Sequence, residues 1–240
     1  GMTAQPVPSA TSSSSDDSSV DLPVIAVLVS GRGSNMEAIL RAIVAGTLHA
    51  RVGLVVSSRA DAPALAIAAR YGVPTQVIAP TVFPSRAEAG AAVVAALQQA
   101  GAQLVALAGY KPILDGGVVR AFPDRILNVH PSLLPAFAGG MAPRPQTEAL
   151  AAGVKISGCT VHLVTEEVDA GPILLQAAVP VLEDDTVETL SERILIQEHR
   201  LLPEALELVA SGRVVVAEKR ARILPAIPAS SGASVALTTP

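Results

Sequence analysis

An amide and an imidazole lie close together at the end of an apolar run. In ILNVHPSLLP, Asn128 and His130 close the strand that we expect over Ile126–Val129. Side chains two positions apart on a strand project to the same side. An imidazole that moves a proton near neutral pH and an amide that donates to a developing oxyanion could therefore act on one reacting atom. The alternative is a histidine with a packing or capping role.

A second candidate is the run VLVSGRGSN, at a predicted strand-to-helix junction. Gly31 and Gly33 would let the backbone approach a ligand, and the free N–H groups of a helix start attract anions. The third position of a dinucleotide-binding fingerprint falls on Met36, and the P-loop lysine is absent. Because Ser34 and Asn35 could add side-chain hydrogen bonds, the run favours a single phosphate over a turn that binds nothing.

A third candidate is Asp169 in the predicted turn TEEVDAGP. An Asp in a turn usually bonds its own backbone, so a purely structural role is one interpretation. The functional alternative is that Asp169 partners His130, holds its ring and favours its charged form. Spacing along the chain leaves both interpretations open.

For the other polar residues the sequence predicts structural roles. His162 lies in an alternating strand, where packing or a cross-strand contact is expected. For Glu198 and His199 on a long helix we expect a solvated face, and for Arg86 at a helix start a surface position. The single cysteine, Cys159, is expected to be a small buried strand residue in a reducing compartment. No zinc-type spacing and no G-x-S-x-G elbow appears, so neither a metal site nor serine-hydrolase chemistry is expected.

Composition narrows the class of protein. The 240 residues are 50% apolar and 2% aromatic, which suits a layered α/β core of Ala, Val, Leu and Ile. A net charge of -4 without basic–aromatic interleaving argues against a nucleic-acid surface. The apolar runs fall short of the roughly 18–20 residues that span a bilayer, so no membrane partner is expected.

Alternating strand and helix patterns predict an α/β fold with an open, mostly parallel sheet, helices on both faces and a less regular C-terminal third. The predicted strands are Val24–Val29, Arg51–Ser58, a run from Thr75, a run from Leu104, Ile126–Val129, Cys159–Val164 and Pro172–Val181. The predicted helices are Met36–Ala45, Pro63–Gly72, Ser85–Ala100 with a Ser85/Glu88 capping box, Gly117–Ala121, Gln146–Ala152 and a long helix from Asp185 with Thr186 as N-cap.

The tails differ in composition from the centre. Residues 1–21 are Pro/Ser-rich and lack the apolar region of a signal peptide, so we expect a disordered leader. Residues 224–240 resemble them and are expected to be flexible. Between the tails we expect one domain, 22–223, with halves of about 22–125 and 126–223.

Four segments, taken in order, resemble the phosphoribosylglycinamide formyltransferase family of folate-dependent enzymes: VLVSGRGSN, LVALAGYKPIL, RILNVHPSLLP and VDAGPILLQ. The resemblance runs from about Val24 to about Val216. It implies a Rossmann-like formyltransferase fold that carries the formyl group of the cosubstrate 10-formyltetrahydrofolate to the amine of glycinamide ribonucleotide in purine biosynthesis, without a metal. We also expect a cytoplasmic enzyme that acts on small molecules and is a monomer or a homodimer.

The resemblance assigns roles residue by residue. Asn128, His130 and Asp169 match the catalytic trio of the family. The substrate side is matched by Gly33, Ser34, Asn35 and Glu198. The folate side is matched by Arg86, Lys111, Pro112, Ile113, Leu114 and Asn128, and Pro112 stands where many relatives carry a residue with a backbone N–H.

Other functions remain open alternatives. A formyltetrahydrofolate hydrolase shares the Asn-His-Asp chemistry but ordinarily has a regulatory domain before the first strand. A sugar-nucleotide formyltransferase would differ in whether the Gly33–Asn35 loop holds one terminal phosphate. Methionyl-tRNA formyltransferase would need a further C-terminal domain and a basic surface, and a non-catalytic mononucleotide-binding protein would lack the trio.

Overall fold

A computed structural model describes residues 21–226, in which seven strands form one mixed sheet. The strands are β1 (Val24–Val29), β2 (Arg51–Ser57), β3 (Thr75–Val77), β4 (Leu104–Ala108), β5 (Ile126–His130), β6 (Ile156–Leu163) and β7 (Ile173–Pro180). Their order is β3-β2-β1-β4-β5-β6-β7. The first five strands run parallel, β6 pairs antiparallel with β5, and β7 pairs antiparallel with β6. The predicted α/β class and mostly parallel sheet are confirmed.

Helices follow most strands. They are α1 (Ser34–Ala45), α2 (Ala64–Arg70), α3 (Arg86–Gln99), α4 (Gly116–Ala121), α5 (Arg144–Ala152) and α6 (Val187–Ala210), with a 3₁₀ turn at Pro80–Val82. Of these, α3, α4 and α6 begin at a residue whose side chain caps the helix. Ser85 accepts a 3.1 Å hydrogen bond from the Glu88 N–H, which is one of the two bonds of the predicted capping box. At α6, the side-chain oxygens of Thr186 and Thr189 each accept a hydrogen bond from the other residue's backbone N–H. The predicted N-cap Thr186 is thus part of a capping box.

The central strands of the sheet, β1 and β4, are buried on both faces. Along β1, Ile25, Val27 and Val29 face a core built with α1, α2, α5 and α6, while Ala26 and Leu28 face a core built with α3 and α4. All five side chains are fully buried. A parallel strand covered on both faces has no solvent side, which explains why its sequence is continuously apolar rather than alternating.

Several element boundaries differ from the sequence prediction. Helix α1 begins at Ser34 rather than Met36, and β5 extends through His130. Strand β6 begins at Ile156 instead of Cys159 because its antiparallel pairing with β7 continues past the apolar run. A small hairpin of β8 (Val214–Ala217) and β9 (Arg220–Ile223) is not predicted, since its short strands are half exposed and carry a weak apolar pattern.

The predicted tails lie largely outside the described residues. Residues 1–20 of the predicted leader and residues 227–240 of the predicted tail are outside the described residues. The predicted domain limits therefore stay a prediction. Leu224, where the predicted tail begins, exchanges two hydrogen bonds with Arg213, at 2.7 and 2.9 Å. Within residues 21–226, no helix has the length and apolar character to cross a bilayer, and no group of three or more His, Cys, Asp or Glu side chains could hold a metal ion.

Candidate active site

The predicted functional segments meet at the carboxyl edge of the parallel strands. After β1 the chain leads away to β2, and after β4 it leads the opposite way to β5, so a crevice opens between the ends of β1 and β4. Leu107 of β4 pairs with Asn128 of β5, which places the end of β5 beside this crevice. Residues 30–35, 109–114 and 128–130 therefore share one edge of the sheet.

The glycine loop after β1 leaves a helix start exposed to ligands. Gly33, at φ 76°, precedes α1 and offers no side-chain cap, so first-turn N–H groups remain for a ligand. A Cβ on Gly33 would lie 2.6 Å from the Cβ of Ala64. Glycine is required here by both its left-handed backbone and this contact with α2.

An open cavity of about 440 Å³ adjoins the start of α1. Its wall is formed by Ser34, Glu37, Ala38, Arg41 and His199. Nε2 of His199 is buried and has no hydrogen-bond partner among the described residues. Burial lowers the pKa of His199, and the nearby Arg41 lowers it further. His199 thus borders the cavity, a position that the helical pattern does not predict.

Asn35 and Glu198 form a buried contact between α1 and α6. Asn35 Nδ2 donates to Glu198 Oε1 at 3.3 Å, so the amide is directed to Glu198 rather than outward from the glycine loop. Glu198 is only 7% exposed, and the expected solvated position is therefore wrong. Burial raises the pKa of Glu198 to about 7, while the Asn35 hydrogen bond opposes this rise.

The structure brings His130 and Asp169 together. His130 Nδ1 lies 3.5 Å from Asp169 Oδ2, and both side chains are buried. On its other side, His130 Nε2 donates to the Phe137 carbonyl at 2.8 Å. An imidazolium donates from both ring nitrogens, so two facing acceptors match the charged ring.

A tight turn directs Asp169 into the site. Asp169 has φ 51°, a left-handed conformation that Asp tolerates better than most residues. Its Oδ2 accepts a 2.7 Å hydrogen bond from the Gly139 N–H, which ties this turn to the loop after β5. Asp169 therefore lies in the turn and faces His130, and the hydrogen bond of its carboxylate is to Gly139 and not to the backbone of its own turn.

His162 joins the site, although the sequence favours a structural role for it. Asn128 Nδ2 donates to His162 Nε2 at 3.2 Å, and His162 Nδ1 donates to the Leu163 carbonyl at 3.2 Å. The expected cross-strand contact is thus present, since Asn128 pairs with His162 across β5 and β6. The same Nε2 lies 3.6 Å from Asp169 Oδ1. Burial lowers the pKa of His162, which suits the neutral ring that accepts from the Asn128 amide and fixes its orientation.

Three strand ends are joined by buried serine hydroxyls. Ser30 Oγ after β1 lies 2.6 Å from Ser58 Oγ after β2, and it accepts a 2.9 Å hydrogen bond from the Lys111 N–H after β4. The 111–114 segment is thereby held at the crevice, with Ile113 62% exposed. Arg86 is exposed at the first residue of α3, as the sequence predicts.

Because Gly171 has no side chain, the turn that contains Asp169 can lie close to β6. A Cβ at Gly171 would overlap the Leu163 carbonyl. We expect Gly171→Ala to lower the free energy of unfolding by about 1–3 kcal/mol, because the backbone must shift to relieve the overlap. Thermal unfolding would measure this loss. Gly31→Ala is the matched control, since its Cβ would meet nothing within 4 Å, and an equal loss in both variants would contradict the steric explanation.

Comparison with known proteins assigns the family. The Formyl transferase family model matches residues 24–206, from β1 into α6. The chain belongs to the formyl transferase family. This formyl transferase chain is 38% identical over 190 residues to a protein of Haemophilus influenzae named phosphoribosylglycinamide formyltransferase, covering 79% of the chain and 88% of that protein. It is 49% identical over 194 residues to the chicken trifunctional purine biosynthetic protein adenosine-3, covering 81% of the chain and 19% of that protein. The chain thus spans 14–19% of the length of the trifunctional relatives.

Solved formyl transferase structures share the fold. The crystal structure of glycinamide ribonucleotide transformylase 1 from Symbiobacterium toebii has a TM-score of 0.82 and 52% sequence identity, covering 85% of this chain and 95% of that one. The predicted Rossmann-like formyltransferase fold is confirmed. The β8–β9 hairpin lies beyond the residues that the formyl transferase family model matches.

Proposed function

We propose that this chain transfers the formyl group of 10-formyltetrahydrofolate to the amine of glycinamide ribonucleotide in purine biosynthesis. The relatives named phosphoribosylglycinamide formyltransferase support the substrate assignment. The observation that carries the chemistry is the convergence of Asn128, His130 and Asp169 at the strand edge that also carries the glycine loop.

The reaction needs an oxyanion donor and a proton path. The amine nitrogen forms a bond to the formyl carbon, the carbonyl oxygen becomes an oxyanion, and the bond from carbon to the folate nitrogen then breaks. One proton leaves the amine and one reaches the departing folate nitrogen. A direct transfer of this kind requires no covalent enzyme intermediate.

Each member of the trio has a role in this proposal. The Asn128 amide nitrogen uses one hydrogen for His162, and its second hydrogen is assigned to the oxyanion. Charged His130 stabilises the same oxygen by its positive charge, because both of its ring N–H groups face other acceptors, and it moves protons on the side that faces Asp169. Asp169 balances the charge of His130 across 3.5 Å and relays protons through water.

The two substrates occupy opposite sides of the crevice in this proposal. The α1 N-terminus with Gly33, Ser34 and Asn35 holds the phosphate of glycinamide ribonucleotide, and Glu198 contacts the same substrate. The folate lies along Lys111–Leu114, where Pro112 supplies no N–H, so the backbone of Ile113 and Leu114 offers the remaining donors. Arg86 lies on the folate side. A cytoplasmic location and a monomeric or homodimeric state stay predictions.

A folate-coupled assay tests the function. Purified protein with 10-formyltetrahydrofolate should release tetrahydrofolate only when glycinamide ribonucleotide is added. Absence of amine-dependent release contradicts the transferase proposal, whereas release without the amine supports a formyltetrahydrofolate hydrolase. Release with an amino sugar nucleotide, but not with glycinamide ribonucleotide, supports a sugar-nucleotide formyltransferase.

The contact between Ser30 and Lys111 predicts that substitution of Ser30 weakens binding of the folate more than binding of glycinamide ribonucleotide. Ser30→Ala leaves the Lys111 N–H without its 2.9 Å acceptor, a loss of about 1–3 kcal/mol. We expect the KM for 10-formyltetrahydrofolate to rise about fivefold or more, with a smaller change in the KM for glycinamide ribonucleotide. Ser57→Ala is the matched control, because this buried hydroxyl bonds only Arg59 among the described residues. Equal effects of both variants would contradict a role for Ser30 in positioning the 111–114 segment.

A further inference from the structure

The contact between Asn35 and Glu198 leaves a buried acceptor without a donor. Asn35 is 9% exposed and Glu198 is 7% exposed. Asn35 Nδ2 donates to Glu198 Oε1 at 3.3 Å, yet Asn35 Oδ1 is inaccessible and has no hydrogen-bond partner among the described residues. A buried polar atom without a partner is costly, so its retention requires an explanation.

Glu198 could supply the missing donor. A carboxylate only accepts hydrogen bonds, whereas a protonated carboxyl group carries an O–H donor. None of the ion pairs among the described residues includes Glu198. Burial without a cation disfavours the charged form and raises the pKa of Glu198 to about 7. The neutral acid is therefore available near physiological pH.

We propose that Asn35 is a positioning residue that holds Glu198 as a neutral acid through two hydrogen bonds. The Glu198 O–H donates to Asn35 Oδ1, and Asn35 Nδ2 donates to the carbonyl oxygen of the acid. This pairing satisfies the buried Oδ1 and links the first turn of α1 to α6. Its role in substrate binding rests on the proposed formyl transfer, but the pairing itself is a property of the substrate-free protein.

The pairing couples Glu198 to the proposed phosphate position. Asn35 lies in the first turn of α1, where the proposed substrate phosphate binds. An ionised Glu198 would add a negative charge beside that anion, so protonation of Glu198 and phosphate binding should favour each other. The titratable and charged groups around α6 near this pair are Cys159 on β6, Glu37 and Arg41 on α1, and His199 and Arg200 on α6.

Infrared spectroscopy of the substrate-free protein tests the pairing directly. At pH 6 the wild type should show a C=O stretch of a protonated carboxyl group, which disappears with a midpoint near pH 7 and is absent in Glu198→Gln. In Asn35→Ala the band should move to higher frequency, because the acid carbonyl loses its N–H donor. Glu192→Gln, on an exposed position of the same helix, should leave the band unchanged.

Two spectroscopic results would overturn the proposal. One is the absence of a band that depends on Glu198 at pH 6. The other is a band with the same frequency in wild type and Asn35→Ala. Neither measurement requires substrate or turnover, so a failure of the proposed formyl transfer would not affect them.

Kinetics test the coupling to substrate. Glu198→Gln keeps a donor and an acceptor for Asn35 but never ionises. The ratio of the wild-type KM for glycinamide ribonucleotide to that of Glu198→Gln should rise about tenfold from pH 6 to pH 8, as the neutral fraction of a group with pKa near 7 falls. Titration of the substrate itself cancels in this ratio. A ratio independent of pH would contradict the coupling, even where the infrared band is present.

Discussion

Replacing Asp169 with asparagine is expected to lower kcat for formyl transfer by about 10²- to 10⁴-fold, the range that general acid–base groups contribute. Asparagine keeps the size of the side chain, and its oxygen can still accept the Gly139 N–H, which donates at 2.7 Å in the wild type. The substitution removes the negative charge 3.5 Å from His130 Nδ1. In the proposed mechanism the charged His130 ring then loses its counterion, while the turn that contains Asp169 remains.

The KM values should change much less than kcat in Asp169→Asn, because the interaction serves the transition state rather than ground-state binding. Steady-state kinetics with each substrate varied would separate the two constants. Asp61→Asn is a suitable control, since this exposed carboxylate pairs with Arg59. A normal kcat in a folded Asp169→Asn protein would mean that Asp169 only forms the turn.

Removing the Asn128 amide should have the second largest effect. We expect Asn128→Ala to lower kcat by about 10²- to 10³-fold, the typical cost of losing one oxyanion donor. In the structure this amide is fixed by His162 Nε2 at 3.2 Å and lies on the same strand as His130. Because this donor is already held in place, it needs little reorganisation when charge develops on the formyl oxygen. Single-turnover measurements with both substrates bound would follow the chemical step directly.

A double variant distinguishes a shared site from independent contributions. If Asn128 and Asp169 act on one transition state, the combined loss in Asn128→Ala/Asp169→Asn should be smaller than the product of the single losses. Fully multiplicative losses would indicate separate roles. A rise in KM for the folate with unchanged kcat in Asn128→Ala would show that the amide binds the cosubstrate but does not stabilise the oxyanion.

Local features of the fold are predictable because they depend on neighbouring residues. The continuous apolar run of β1 indicates a strand buried on both faces, and the Ser85 and Thr186 caps are visible as short-range patterns. The exposed β8–β9 hairpin has no comparably strong pattern. Strand β6 is longer than its apolar run because pairing with β7, rather than hydrophobicity alone, sets its length.

Short-range sequence patterns are sufficient to predict the α/β class, the polar pair at the end of β5 and the glycine loop before α1, because strand and helix periodicity and turn chemistry act over a few residues. The contacts between distant groups, in contrast, depend on how the chain folds. Antiparallel pairing of β5 with β6 brings His162 to Asn128, and the turn held by Gly139 brings Asp169 to His130. Packing of α6 on α1 buries a glutamate that a helical pattern places on a solvated face. These contacts depend on sheet register and helix packing, which join residues far apart in the chain and leave no local signature.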